Sequence, residues 1–196
     1  MKQTRLLLLC SFVALWLGCG RKPEKAQRSQ WTVIAGTQSR EQLFDRLSKS
    51  SISEQNEPEK FTLLVRDSPE FKISPARQEL ELVVVTAEQL RLPTARWEPG
   101  IPLDEFKAKV AEAGYRLCPH DAVAELILTI RGHEPLDFTY VATEPITGMR
   151  EKQPVMRPLV PVVFTHLGVS YIVMRPLDLT SFAPRRYIVA KVRRDQ

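Results

Sequence analysis

The residues from Cys118 to Asp121 hold the most reactive combination of side chains in this sequence. Cys118, His120 and Asp121 bring a thiol, an imidazole and a carboxylate close together along the chain. A thiol near a helix start can have a lowered pKa, and a thiolate activated by histidine is a nucleophile. Catalytic cysteines normally meet their histidine through the fold, so His166 is a second candidate partner. We nevertheless expect Cys118 to be a buried and inert core residue.

Two other chemistries have weaker support. Glu125 and Glu144 could form a carboxylate pair of the kind that cleaves glycans, but the sequence does not fix their separation, and we expect each to be a strand-end or surface acid. His120, His133 and His166 do not have metal-ligand spacing, and the body of the chain has a single cysteine, so we predict no metal and no other cofactor. The sequence contains neither a glycine-rich phosphate loop nor a Gly-x-Ser-x-Gly motif.

The start of the chain has the pattern of an export signal. Lys2 and Arg5 precede an apolar run over residues 6–17, which is too short to cross a bilayer core of roughly 30 Å. Residues 16–19, Trp-Leu-Gly-Cys, resemble the lipobox of bacterial lipoproteins. The resemblance implies that Cys19 receives a thioether-linked diacylglycerol and becomes the mature N-terminus. Cys10 fits less well because bulky Leu9 precedes it. The alternatives are a signal peptide cut elsewhere and a buried N-terminal helix.

This pattern predicts a signal peptide over residues 1–18, a lipidated tether over residues 19–30 and one globular α+β domain over residues 31–196. By resemblance to lipoproteins of enterobacterial type, Gly20 in place of an aspartate after the cysteine implies transport to the outer membrane, with the domain facing the periplasm. The tether holds four basic residues and one acid, and it is either attracted to anionic head groups or a plain soluble spacer.

The charge balance argues against nucleic acid as a partner. The chain has 28 basic and 23 acidic residues, a net charge of +5. Six of the basic residues and one acid lie before residue 31, so the remaining 166 residues hold 22 of each sign. Within them, residues 31–144 carry −6 and residues 145–196 carry +6. The two halves either offset each other within one domain or leave a basic face for an acidic partner. That face would include Arg185, Arg186, Lys191, Arg193 and Arg194.

One amphipathic helix is clear from spacing alone. Leu103, Phe106, Val110 and Ala113 recur with helical period and share one face. Gly114 is expected to end the helix, because glycine adopts the left-handed conformation of a helix C-terminus without steric cost.

Apolar runs and alternation predict the other elements. The nearly continuous apolar run over residues 124–130 favours a central strand, after a turn or a short helix at Pro119. Another helix is expected to begin at a Thr37 or Ser39 cap and to end near Leu47. Other strands are predicted over residues 31–35, 61–65, 79–86, 137–143, 162–165, 169–174 and 187–192. Polar and proline-rich composition predicts connections over residues 48–59 and 67–77, and a long rim over residues 144–161. The predicted class is α+β, a largely antiparallel sheet with one or two packed helices.

Several of these segments together resemble an uncharacterised family of small bacterial proteins. They are Trp31-Thr32 with the following helix, residues 81–90, the helix closing in Gly-Tyr-Arg-Leu-Cys-Pro (residues 114–119), and Glu-Pro-Ile (residues 144–146). That family carries a Leu-Cys-Pro motif after a helix and a Glu-Pro-Ile motif after a strand. The resemblance spans most of residues 31–192 and implies one domain, but no activity, so it assigns no catalytic residues.

Two functions from different classes remain open. The first is a membrane-tethered, non-enzymatic module that binds another envelope protein or a cell-wall component, with residues 144–161 as a candidate surface. The second is a cell-envelope hydrolase that uses Cys118 with His120 or His166.

Overall fold

A computed structural model describes residues 30–49, 61–93, 101–130, 136, 138–150, 153–166, 169–176 and 186–192. These residues form one eight-stranded, largely antiparallel sheet with four helices, which confirms the predicted α+β class but gives more helices than expected. The helices are α1 (Arg40–Lys49), α2 (Phe61–Val65), α3 (Leu103–Glu112) and α4 (His120–Thr129). The strands are β1 (Gln30–Ala35), β2 (Gln78–Thr86), β3 (Tyr115–Arg116), β4 (Thr139–Val141), β5 (Ile146–Arg150), β6 (Gln153–His166), β7 (Val169–Pro176) and β8 (Arg186–Lys191).

The last strand of the chain lies inside the sheet. β8 pairs antiparallel with β2 on one side, and on the other side it pairs parallel with β4 and antiparallel with the short β3. β1 lies at the edge of the sheet, where it pairs with β2, so the strand predicted over residues 31–35 is confirmed. β4 and β5 both pair with the side of β6 opposite to β7, so they form one interrupted row.

Each face of the sheet has its own apolar core, because side chains alternate along a strand. On β2, Leu80 and Leu82 belong to the larger core, which α1, α2 and α4 cover. Val83 and Val85 point to the opposite face, where Phe106 and Val110 of α3 pack. The predicted amphipathic helix is therefore confirmed, and Gly114 follows it with a φ of +82°.

The prediction of a strand over residues 124–130 is wrong, because this segment belongs to α4. Only Glu125 and Thr129 interrupt this apolar run, and two polar residues four apart are a weak signal for separating a helix from a strand. Pro119 is the N-cap residue of α4, so the alternative of a helix starting at this proline was correct. The buried residues of α4 are Asp121, Ala122, Val123, Ala124, Leu126 and Ile127.

The strand predicted over residues 61–65 is also a helix, α2. Its sequence, Phe-Thr-Leu-Leu-Val, is typical of a strand, so tertiary contacts override local preference here. The guanidinium of Arg40 donates hydrogen bonds to Val65 O and Arg66 O, at 3.2 and 2.5 Å, where the helix ends. A helix end leaves carbonyls without partners inside the helix, and Arg40 satisfies two of them.

The long rim predicted over residues 144–161 is wrong as well, because β5 and much of β6 lie there. Prolines are tolerated in β6 because they occupy positions where pairing is one-sided. Pro154 and Pro158 oppose β5, and β7 pairs with the other side of β6 only from Leu159 onward. Pro161 opposes Met174 of β7, at the interruption between β5 and β4.

The remaining predictions fare better. Ser39 begins α1 with a capping box, in which its Oγ accepts from Gln42 N–H and its own N–H donates to Gln42 Oε1. Strands are confirmed over all of residues 79–86, over most of residues 187–192, in the centre of the predicted 137–143 segment, and as the β6–β7 pair. Residues 67–77 form a connection. Of the predicted loop over residues 48–59, the first two residues belong to α1 and the others lie outside the described residues, as do the predicted signal peptide and nearly all of the tether. Within the described ranges, no helix is long and apolar enough to span a bilayer.

Candidate functional site

The thiol of Cys118 lies in the core between β3 and α4. Its residue is only 2% exposed, its N–H donates to Ala142 O at 2.7 Å, and its Sγ lies 3.7 Å from Ile188 O. Burial raises the pKa of this thiol to about 12, because a thiolate would lose its hydration. The predicted burial of Cys118 is confirmed, and the thiol stays protonated and shielded at neutral pH.

Both ring nitrogens of His120 contact backbone groups. Nδ1 accepts a hydrogen bond from Lys72 N–H at 3.2 Å, and Nε2 lies 2.9 Å from Glu144 O, so the ring is neutral with its proton on Nε2. The ring also stacks on Phe71, with centroids 5.6 Å apart. Burial lowers the pKa of His120, which favours the same neutral form. His120 therefore joins three segments of backbone and has no free nitrogen with which to activate a thiol.

The carboxylate of Asp121 is buried and fully used. One oxygen accepts from Gly36 N–H at 2.7 Å and Ser74 N–H at 3.1 Å, and the other accepts from Ser74 Oγ at 2.8 Å. Asp121 also lies in the first turn of α4, where the helix dipole favours a negative charge. These contacts tie the turn after β1 and the connection before β2 to α4. Cys118, His120 and Asp121, which are close in sequence, thus contact three separate sets of partners.

The two glutamates of the proposed carboxylate pair belong to different clusters. Glu125, on α4, forms an ion pair with Arg46 at 2.9 Å and accepts from Gln38 Nε2 at 3.4 Å. Glu144, between β4 and β5, forms an ion pair with Lys107 of α3 at 2.8 Å. Each acid therefore links two elements. The expectation of a strand-end or surface acid is confirmed for exposed Glu144, but it is wrong for Glu125, which lies on α4 and is mostly covered.

A shallow recess lies beside the C-terminal end of β1, and its cavity volume is only about 10 Å³. Its lining includes Ile34, Gly36, Gln38, Leu43, Asp121 and Glu125. Ligand pockets for drug-sized molecules are larger, roughly 300 to 1,000 Å³. Both carboxylates of the lining already have partners, whereas Gln38 Oε1 is buried and lacks a hydrogen-bond partner among the described residues. Across the part of the chain that the structure describes, no three His, Cys, Asp or Glu side chains come together to hold a metal ion.

His166, the second candidate partner of the thiol, ends β6, where it opposes Val169 of β7. Among the basic residues proposed as a face, Lys191 forms an ion pair with Glu81 at 2.5 Å and Arg186 is half-buried. Arg185, Arg193, Arg194 and His133 lie outside the described residues.

Arg40 is the residue that sequence reasoning missed. Besides the end of α2, its guanidinium reaches Ser68 O at 2.6 Å and Phe71 O at 3.4 Å, and it lies 5.5 Å from the Phe71 ring centroid. The partners of Arg40 are backbone carbonyls and an aromatic ring. An ion pair with an acidic residue would have been a sequence signal for its role, but Arg40 does not use one among the described residues. Arg40 fixes the connection that supplies Lys72 and Ser74 to α4.

The two motifs of the family resemblance are neighbours in space. Cys118 donates to Ala142 O, and His120 contacts Glu144 O, so the Leu-Cys-Pro segment runs beside the chain entering Glu-Pro-Ile. Comparison of the chain with family models, with curated proteins and with solved structures gave no match. The resemblance therefore stays a prediction.

Proposed function

We propose that this chain is an exported, lipid-anchored protein of the cell envelope, whose domain is a non-enzymatic module that binds an envelope protein or a cell-wall component. The observation that carries the proposal is the N-terminal pattern: Lys2 and Arg5, the short apolar run, and Gly18-Cys19. We place the protein in the outer membrane, facing the periplasm.

The contacts of the candidate catalytic groups support a binding module over a hydrolase. A thiol nucleophile requires an accessible thiolate and a base within hydrogen-bond reach. Cys118 has a raised pKa and lies in the core, and His120 directs both nitrogens to backbone groups. These contacts favour structural roles for both residues.

The test of the anchor is acylation of Cys19 in a Gram-negative host. We expect mass spectrometry of the purified protein to find a mature N-terminal peptide that begins at Cys19 and carries acyl chains. Cys19→Ser should abolish acylation and processing, whereas Cys10→Ser should leave both unchanged. A protein that keeps Met1, carries no acyl chain and fractionates with the cytosol would refute the proposal.

The test of the binding module is capture from detergent-solubilised envelope with the acylated protein as bait. Cys118→Ala should retain whatever partner the natural chain retains, because the proposed role does not use the thiol. A hydrolase would instead lose turnover with this substitution while keeping its substrate.

A further inference from the structure

A pair of stacked phenylalanines lies at one end of the sheet. Phe138 and Phe164 have ring centroids 5.7 Å apart and nearly parallel planes, at 12°. Because Thr139 opposes Val163, Phe138 and Phe164 are cross-strand neighbours on the face that α3 covers elsewhere. Phe138 is 63% exposed, whereas most large apolar side chains of the described ranges are buried.

The backbone at Phe138 is unusual too. Its φ is +31°, a region that bulky side chains rarely adopt. Neither the exposure nor this conformation helps the two apolar cores, and such departures concentrate at sites of function. The stacked pair is therefore a candidate contact surface.

Strand register places this pair at the end from which the chain enters the sheet. Gln30 of β1 lies opposite Val83 of β2, and Val83 lies opposite Val189 of β8. The residue before Val189, Ile188, is the parallel partner of Val141 in β4. The first residue of β1 is thus level with residue 142, about four residues or roughly 13 Å along the strands from Phe138. β1 then runs away from Phe138, since Ala35 opposes Gln78 at the far end of β2.

The tether is long enough for Cys19 and Phe138 to reach the same bilayer surface. Cys19 precedes Gln30 by 11 positions, which allows a reach of at most about 36 to 40 Å. β1 and β4 are three rows apart, roughly 14 Å. An acyl anchor on Cys19 and the ring of Phe138 can therefore reach one bilayer surface at the same time.

We propose that the pair Phe138 and Phe164 contacts the bilayer in which the acyl chains of Cys19 are embedded, and so orients the domain on the membrane. This inference rests on the proposed function, because the anchor supplies the membrane. The contact is made by apolar rings at the depth of the head groups and upper acyl chains. It is therefore insensitive to salt, unlike attraction between basic residues and anionic lipids.

Photo-crosslinking tests the contact, with Leu63 as a matched control. Leu63 is 62% exposed and lies on α2, which packs against β5 at the opposite end of the sheet. The full chain is produced with Phe138→benzoylphenylalanine or Leu63→benzoylphenylalanine, and each acylated product is reconstituted in phosphatidylethanolamine and phosphatidylglycerol vesicles. We expect several-fold more lipid adduct from position 138 than from position 63, and the same ratio at high salt.

Two results overturn the contact. One is an equal or smaller lipid yield at position 138. The other is an adduct from position 138 to a second copy of the chain or to another protein, in place of lipid. Mass spectrometry of the Cys19 peptide in the same sample separates the two proposals: an acylated protein without the position bias refutes the contact alone, whereas an unacylated protein refutes the anchor.

Discussion

The sulfur of Cys118 offers the sharpest residue-scale test, because a core thiol and a nucleophile differ in accessibility. With its pKa raised to about 12 and its residue 2% exposed, Cys118 should resist iodoacetamide in the native protein and react once denaturant unfolds the chain. We expect Cys118→Ala to lower the free energy of unfolding by about 1 kcal/mol, since the cavity is small. Rapid alkylation of the native protein at neutral pH would contradict this and restore the hydrolase reading.

His120 should make stability depend on pH. Its pKa is lowered from 6.5 by burial, so the unfolded chain binds the proton more readily than the folded one. The stabilisation is complete above pH 6.5 and is lost as the pH falls toward the folded pKa. A proton on Nδ1 would also bring two donors, Nδ1–H and Lys72 N–H, face to face without an acceptor. The nearby charges of Glu144 and Asp121 raise the pKa of His120, but they offset the effect of burial only in part.

The measurement for His120 is urea unfolding at pH 7.5, 6.5 and 5.5. The natural chain should lose stability over this interval, and His120→Gln should be less stable at pH 7.5 but show a smaller loss. His133 and His166 are present in both chains, so the difference reports His120. An unchanged pH dependence in His120→Gln would refute the assignment.

At the scale of elements, the turn after β1 can be tested with a matched pair of glycines. Gly36 and Gly114 both have positive φ, +73° and +82°. A Cβ on Gly36 would lie 2.1 Å from Ala76 O, whereas a Cβ on Gly114 meets nothing within 4 Å. Gly114→Ala should therefore cost only the conformational term of about 1 kcal/mol, while Gly36→Ala should cost clearly more.

The excess at Gly36 arises because the clash is with backbone and because Gly36 N–H must still reach Asp121. Chemical denaturation of the two variants measures the difference. Equal losses of unfolding free energy would mean that the turn relaxes freely, and that Asp121 does not hold it in place.

The clearest prediction is α3, whose period shows because solvent and core alternate around it. Only the first half of β2 alternates in the same way, and β8 was predicted from its apolar run although it is buried on both faces. In α4 only Glu125 and Thr129 interrupt the apolar run, so the helical signal is weak, and the five residues of α2 are too few to show a period. The first part of β6 was not predicted because it contains prolines. A strand tolerates a proline where one neighbouring strand is absent, and the pairing in the sheet, not the sequence of the strand, decides where that is.

The candidate site was predictable only in part, for a related reason. Burial of Cys118 follows from the general habit of free cysteines. The partners of His120, Asp121 and Arg40 are mostly backbone groups distant in sequence, and backbone groups leave no trace in residue types. The types of these side chains therefore did not reveal which backbone segments they bind.

At the scale of the whole molecule, the two oppositely charged parts of the chain are interleaved. β8 comes from the basic C-terminal part and lies between β2 and β4 of the acidic part, and the Lys191–Glu81 ion pair joins them. The opposite charges therefore meet within one sheet, which favours mutual compensation over a separate basic lobe.

The central position of β8 also governs when the chain can fold. Ile188, Val189 and Ala190 are fully buried, and β8 pairs with β2, β3 and β4, so both cores stay open until the last strand is present. Contacts so distant in sequence form late and slowly. A chain that ends at residue 185 should thus remain unfolded, whereas one that ends at residue 192 should fold. Near-ultraviolet circular dichroism and urea unfolding distinguish them, and a cooperative transition in the shorter chain would contradict the prediction.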